Sequence, residues 1–474
     1  MHLDQQGIHY CIVSGFEIMS RKKSQVSSQN PSEIVMNPGR KGMKATQGFS
    51  FFGIFCDGID PDLIKRHIFY LCLLSILTKF IIFFATTSIF HSFIDYFDFQ
   101  YYLQSANNIA QGQIPYVNFG FDYPPLAFIP ILLAFIPAVL LNSPSIFVLF
   151  FQVQMVICDI VILICVYLIG LKLYNEKTAF IAAFLYATAF SAAYFVLTKY
   201  DAFPTSLLML AVLFSVYNKT LRGYLALIIG FFVKIYPVIA LPFVMLYNAK
   251  STSLKREIVT ILKIGIPLSV IFLLPVIILK PAILLSYFSG SLVRTDIYVN
   301  TATNTLYVYL HDVCNLGISA TVVSNFMYVI LGCVLLLLVV VALVGPKKEP
   351  RHLIRFLLIS VFTVVFGMKY HSPQYILWFT PFVCLLVADT LSGMILFYVT
   401  QGLTYLEFPL FFGTLYVNGN YISPAGSYGW YLALFFFTLV YAAYLVLVCL
   451  AVKPSMTELN KFISDFKTVI RKRA

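Results

Sequence analysis

Charge is what this chain has least of. Asp, Glu, Lys and Arg make up 11% of its 474 residues, where a soluble domain carries about 25%. With 60% hydrophobic residues and a mean hydropathy of +0.87, a soluble globular fold is excluded. The apolar runs also lack the short alternation of barrel strands. They are continuous over about 20 residues, which is the length of a spanning helix. Cysteine supplies no framework. Of the nine, Cys72, Cys158, Cys165, Cys333, Cys384 and Cys449 lie in apolar runs as small hydrophobes. Cys11, Cys56 and Cys314 have neither a disulfide pattern nor a zinc spacing. No cleavable signal peptide is evident. The expected class is an all-α polytopic membrane protein. The net charge of +12 is no sign of nucleic acid, because the cations fall in short loops and in the two tails, where they orient helices.

Residues 1–66 read as a basic, disordered cytoplasmic extension. A first span over about 67–90 runs outward from it, with Lys79 near its middle. The stretch that follows, HSFIDYFDFQYYLQSANNIAQGQIPYVNFGFDYPP (91–125), has three acids and no Lys or Arg, so it faces outward. Residues 123–145 are apolar but interrupted by five prolines. Counting them as a span breaks the positive-inside pattern further on. They are therefore expected to form an amphipathic, membrane-lying pair of helices within a first outer loop of 91–145. Spans follow at about 146–170, 178–197 and 202–217. Residues 223–247 are split into two half-spans at Lys234-Ile235-Tyr236-Pro237, since one continuous span would bury Lys234 midway. Further spans are expected at about 258–280, 318–344, 353–368, 376–391, 393–413 and 428–452. The total is twelve, with both ends inside. The chain thus divides into a catalytic-type module at 67–280, a second outer loop and C-terminal module at 281–452, and a basic tail at 453–474.

Twelve cations fall on inner loops under this topology. Lys199, Lys234, Lys280, Arg294 and Lys369 fall on the outer side. Cations placed against the orienting rule fit a bound anion. Asp95, Asp98, Asp201, His371 and Gln374 gather on the same side. A phosphate needs cations against the charge of a leaving group. An acceptor hydroxyl needs a carboxylate to take its proton. Each residue also has a plainer reading. Asp98 and Asp201 could cap helices, Lys234 could snorkel, Arg294 and Lys369 could meet lipid headgroups, and His371 could be a hydrogen-bonded loop residue. Lys79 and Asp159 lie in the middle of two spans and are each costly alone, so they are expected to pair.

FDFQYYLQSANNIAQGQIPY with FDYPPL, KYDAFPTSLLMLAVLF, GYLALIIGFFVKIYPVIALPFVML and SPQYILWFTP occur in that order along the chain. Together they resemble the GT-C superfamily of integral-membrane glycosyltransferases, and among them the polyprenyl-phosphate-mannose-dependent mannosyltransferases. The resemblance covers most of residues 67–381. It implies a polyprenyl-phosphate sugar donor, a lipid-linked or glycan acceptor and surrounding membrane lipid, with no cofactor and no metal. It implies Asp98 as general base, with Asp95 as the alternative, because the family's two loop acids are spaced by one residue and these by three. Asp201 matches the second outer acid. Lys234, Arg294, Lys369 and Lys199 would hold the donor phosphate, and Tyr101, Tyr102, Tyr123, His371 and Gln374 would line the substrate. The site would face the exterior in a prokaryote, or the lumen of the endoplasmic reticulum in a eukaryote. The rival expectations are a transporter or flippase of an anionic or lipid-linked substrate, and a non-enzymatic scaffold.

Overall fold

The computed structural model describes residues 60–89, 97–281, 297–344, 349–453 and 464, all within one compact unit, Phe52–Ala474. The expectations for residues 1–59, Asp95, Arg294 and most of the basic tail lie outside the described residues.

The architecture is helical, with one two-stranded hairpin, Tyr416–Val417 against Asn420–Tyr421, among the described residues. The first helix, α1 (Pro61–Phe84), begins before the expected boundary at 67. Its start is set locally: Asp60 caps it by accepting from the Asp62 amide, and Pro61 occupies the first turn, where a missing N–H costs nothing. The acidic stretch then folds as α2 (Phe97–Ala110).

Residues 123–145 differ from expectation. A single helix, α3 (Phe128–Leu140), follows a short 3-10 turn at Pro125–Ala127. It is not amphipathic. Phe128, Ile131, Ala134 and Ala138 pack inward, while Ile129, Leu133, Ile136, Val139 and Leu140 stay exposed. No polar side chain lies between Leu126 and Leu141. A helix that is apolar all round is suited to an apolar medium on its free side, not to a headgroup boundary.

Then come α4 (Pro144–Leu173), α5 (Glu176–Ala187) and α6 (Phe190–Thr198), the last two bent by 54°. The bend needs no proline. Ala189 leaves helical geometry, and the Thr188 hydroxyl donates to the Phe184 and Leu185 carbonyls in the last turn of α5. α4 and α5 cross closely at Gly170, where a Cβ would stand 3.0 Å from the Ala179 Cα. α7 (Ala202–Val216) and α8 (Thr220–Val233) follow, and α8 ends at Lys234, whose backbone is extended. The chain resumes in a 3-10 turn at Tyr236–Ala240 and then α9 (Leu241–Ala249). The expected split at Lys234 is therefore present, with Pro237 in the first turn of the resumed helix.

Next are α10 (Leu254–Phe272), α11 (Leu274–Leu279), α12 (Ala302–Val308), α13 (Ala320–Val344), α14 (Pro350–Gly367), α15 (Ile376–Val387), α16 (Leu391–Tyr405) and α17 (Tyr428–Val452). The span expected to reach 413 stops as an α-helix at Tyr405. A π-turn covers Leu406–Leu410, where Phe408 leaves helical geometry before Pro409. Among the described residues, five helices are long and apolar enough to cross a membrane, or six if the bent α5–α6 pair is one span. The remaining apolar helices are shorter.

Apart from a small cluster of Val308, Trp430 and Leu434, most buried apolar side chains among the described residues form one large cluster that includes α4, α5, α7 and α15. Inside it, Lys79 and Asp159 meet as the sequence suggested, at 2.5 Å. Ser75 donates to one carboxylate oxygen and the Tyr186 hydroxyl to the other. Both oxygens of this buried acid thus face donors, which is the condition under which such a charge is tolerated.

Candidate active site

The α6–α7 junction is the centre of the site. Lys199 ends α6 in extended geometry and Ala202 starts α7, so Lys199 and Asp201 face different partners across Tyr200. Lys199 meets Asp98, in the first turn of α2, at 2.9 Å. A helix start favours a carboxylate there. Asp201 meets Lys234 at 2.6 Å. The break after α8 lets this lysine reach back across α7.

The two acids differ in how fully they are used. Asp201 is 0% exposed. Its Oδ1 accepts from Lys234 and from the Trp378 indole, both at 2.6 Å, and its Oδ2 accepts from the Gln374 amide at 3.0 Å. It makes no capping bond to α7, so the capping reading does not hold. Asp98 keeps 16% of its side chain exposed. Besides Lys199 it receives only a long bond, 3.4 Å, from the Tyr102 hydroxyl among the described contacts. Asp201 is held by three donors spread over both oxygens, whereas Lys199 and Tyr102 both meet Asp98 at Oδ2.

Aromatic rings join the two pairs. The Lys234 ammonium lies 4.8 Å from the Tyr200 ring centre, 5.2 Å from Trp378, 5.7 Å from Tyr123 and 5.8 Å from Tyr375. Such an enclosure favours a cation electrostatically. Tyr123 and Tyr102 both pack edge-on to Tyr200, with their own ring centres 6.3 Å apart. Tyr236 stacks flat on Trp378 at 4.1 Å and hydrogen-bonds Thr205. Burial first, and the Asp98 charge second, push the Tyr102 and Tyr123 phenols up; burial is also the main reason Tyr101 rises to about 12. These phenols stay protonated, and the Tyr102 hydroxyl donates to Asp98. Tyr101 lies at the edge, its hydroxyl accepting from the Asp122 amide.

The structure therefore gathers Asp98, Asp201, Lys199, Lys234, Tyr102, Tyr123 and Gln374 from segments far apart in sequence. Lys369 goes elsewhere: its ammonium sits 5.5 Å over the Tyr328 ring on α13, and its carbonyl accepts from the Tyr298 amide. His371 is buried beside the Tyr375 and Tyr441 rings. Asp95 and Arg294 lie outside the described residues. Sequence reasoning missed Tyr200, Tyr236, Tyr375 and Trp378 as partners. The signal was present for three of them, since Tyr200 separates Lys199 from Asp201 and Tyr375 and Trp378 belong to SPQYILWF. Among the described residues no group of three or more His, Cys, Asp or Glu side chains is placed to hold a metal. No family model matches the chain, and neither does any curated protein.

Proposed function

We propose that the chain is a glycosyltransferase of twelve spans that moves a sugar, mannose by the resemblance stated above, from a polyprenyl-phosphate donor to a lipid-linked or glycan acceptor, at a site facing the exterior or lumen. The observation that carries the reading is the contrast between the two ion pairs. A fully buried Asp201 held by three donors suits a fixed anchor for Lys234. A partly exposed Asp98 on a lysine suits a base.

The step is a single displacement. The acceptor hydroxyl gives its proton to an Asp98 oxygen, and its oxygen forms the new bond to the anomeric carbon. The bond from that carbon to the phosphate oxygen breaks, and the electron pair leaves with the phosphate. Lys199 and Lys234 lie where they could face the growing negative charge. As Lys199 turns to the phosphate, Asp98 is released to act.

The break at Lys234 also suits a transporter of an anionic lipid, because broken helices mark transport sites. The test is transfer by the purified protein in lipid, wild type against Asp98→Asn, with mannosyl polyprenyl phosphate and a nucleotide-linked mannose as donors. Transfer from the lipid donor, reduced by about a hundredfold or more in the variant, is expected for a general base. Transfer that survives in Asp98→Asn removes the base assignment. Absence of transfer from a panel of lipid-linked sugars, with movement of the lipid between leaflets instead, refutes the enzyme.

A further inference from the structure

Gln374 spends its amide nitrogen on Asp201 and leaves its Oε1 without a hydrogen-bond partner. It is not alone. His371 has both ring nitrogens unpartnered, and Asn300 Oδ1, Thr303 Oγ1 and Glu407 Oε2 are unpartnered as well. All five side chains are at least nine-tenths buried. His371, Asn300 and Glu407 share one neighbourhood, and Gln374 follows His371 by three residues. The Asn300 amide donates to Glu407 Oε1 at 3.0 Å and to the His371 carbonyl at 3.4 Å. The Tyr441 hydroxyl donates to the Asn300 carbonyl at 2.8 Å, and its ring lies 5.7 Å from the His371 ring. Thr303 follows three residues after Asn300, in the first turn of α12. Buried polar groups are ordinarily paired, so so many open in one place call for a ligand or ordered water.

We infer that this cluster is a binding subsite for the uncharged ring of a polyhydroxylated molecule, set beside the ionic site and joined to it through Gln374. The inference rests on the functional reading above and names the part of the substrate that the ion pairs do not hold. The chemistry of the open atoms selects the ligand. Amide and carboxyl oxygens accept, an imidazole both accepts and donates, and a hydroxyl does both. A ligand matching them must bring several O–H groups at close spacing. Burial holds the His371 imidazole well below its usual range, at about 3, so it is neutral. With one acid and no second carboxylate or thiolate, the set is poor for a divalent ion. The open atoms are closed to solvent, so the ring reaches them by parting the loops carrying Asn300 and His371. The Tyr298 amide bond to the Lys369 carbonyl and the Asn300 side-chain amide bond to the His371 carbonyl tie those loops.

The test uses the full chain in nanodiscs. Trp430→Phe leaves Trp378, beside Gln374, as the one indole reporter, since the chain has two tryptophans. The probes are bare polyprenyl phosphate, mannosyl polyprenyl phosphate and calcium chloride. The sugar-bearing lipid is expected to bind at least about tenfold more tightly than the bare one. Thr303→Val and Asn300→Ala are expected to cut that margin by about fivefold for each hydrogen bond lost, with binding of the bare lipid unchanged. Thr303→Val removes an unpartnered hydroxyl at nearly constant shape, so it is expected to fold with unchanged or raised thermal stability. A margin absent, or unmoved by both variants, overturns the subsite and leaves the phosphate reading standing. Calcium binding in place of sugar binding also overturns it. Failure of both lipids to bind overturns the subsite and the functional reading together.

Discussion

Asp201 and Lys234 allow a charge to be removed with little change of shape. Asp201→Asn keeps an oxygen for Lys234 and Trp378. The new amide would face the Gln374 nitrogen, but Gln374 can turn over and accept through Oε1, which has no other partner. The hydrogen-bond count is preserved, and the loss isolates the charge. Stranding a buried partner costs about 3–5 kcal/mol. Four aromatic rings surround Lys234, and cation–π attraction returns about 0.5–2 kcal/mol, so the variant falls at the lower end. Lys234→Met strands the carboxylate instead, with Trp378 and Gln374 still donating. The double variant strands neither and is expected to be more stable than either single one, with a coupling of at least about 2 kcal/mol. Unfolding entropy of ~2.1 cal/mol/K per residue makes 1 kcal/mol worth ~1 °C for a unit of the size Phe52–Ala474. Each single variant should lose ~3–5 °C, and the double variant should come within ~2 °C of wild type. Size-exclusion of the detergent-solubilised protein after heating reads this. Additive losses would refute the argument, since they would mean that the two charges are not each other's compensation.

The Lys79–Asp159 pair predicts the same pattern deeper in the helices. Asp159→Asn should cost more stability than Lys79→Met combined with Asp159→Asn, and equal losses would show that Lys79 finds another partner. His371 predicts a pH dependence. Its pKa is lowered by burial to about 3 against the usual 6.5, so the stability it supports is present above 6.5 and is lost as pH falls toward 3. Between pH 7 and pH 5 the loss is roughly 2 kcal/mol by that linkage. His371→Phe should show a flatter melting profile over that interval, and an unchanged slope would refute it.

The helical segments were legible because hydrophobic length and the placement of Lys and Arg act locally. The break at Lys234 followed from one buried cation and one proline, and the Lys79–Asp159 pair from two charges each too costly alone. What could not be read was partner choice. Asp201 looked as suited to capping α7 as to catalysis, and only packing brings Lys234, and Gln374 with Trp378, to it from two separate segments. Glu407 drew no notice because it stands alone in an apolar run. Its role depends on Asn300, 107 residues earlier in the chain. The 123–145 segment was misjudged in character because its prolines and turns suggested a surface element, while its composition carries no polar face.

The positions of the two lysines connect these points. Lys199 and Lys234 were singled out because they defied the expected orientation of charge, and a bound anion was offered as the reason. Each is met instead by a carboxylate of the chain itself. The ion pairs make the site neutral at rest, so the misplaced cations need no phosphate to be tolerated. A phosphate that enters must compete with an acid for each lysine. The competition is unequal. Lys234 is held against a carboxylate that Trp378 and Gln374 also fix, so it can lean toward an anion without leaving Asp201. Lys199 faces an acid with only one long further bond among the described contacts. A phosphate would therefore detach Lys199 first, and the acid it exposes is Asp98. On the proposed glycosyltransferase reading, donor binding and release of the base would be the same event.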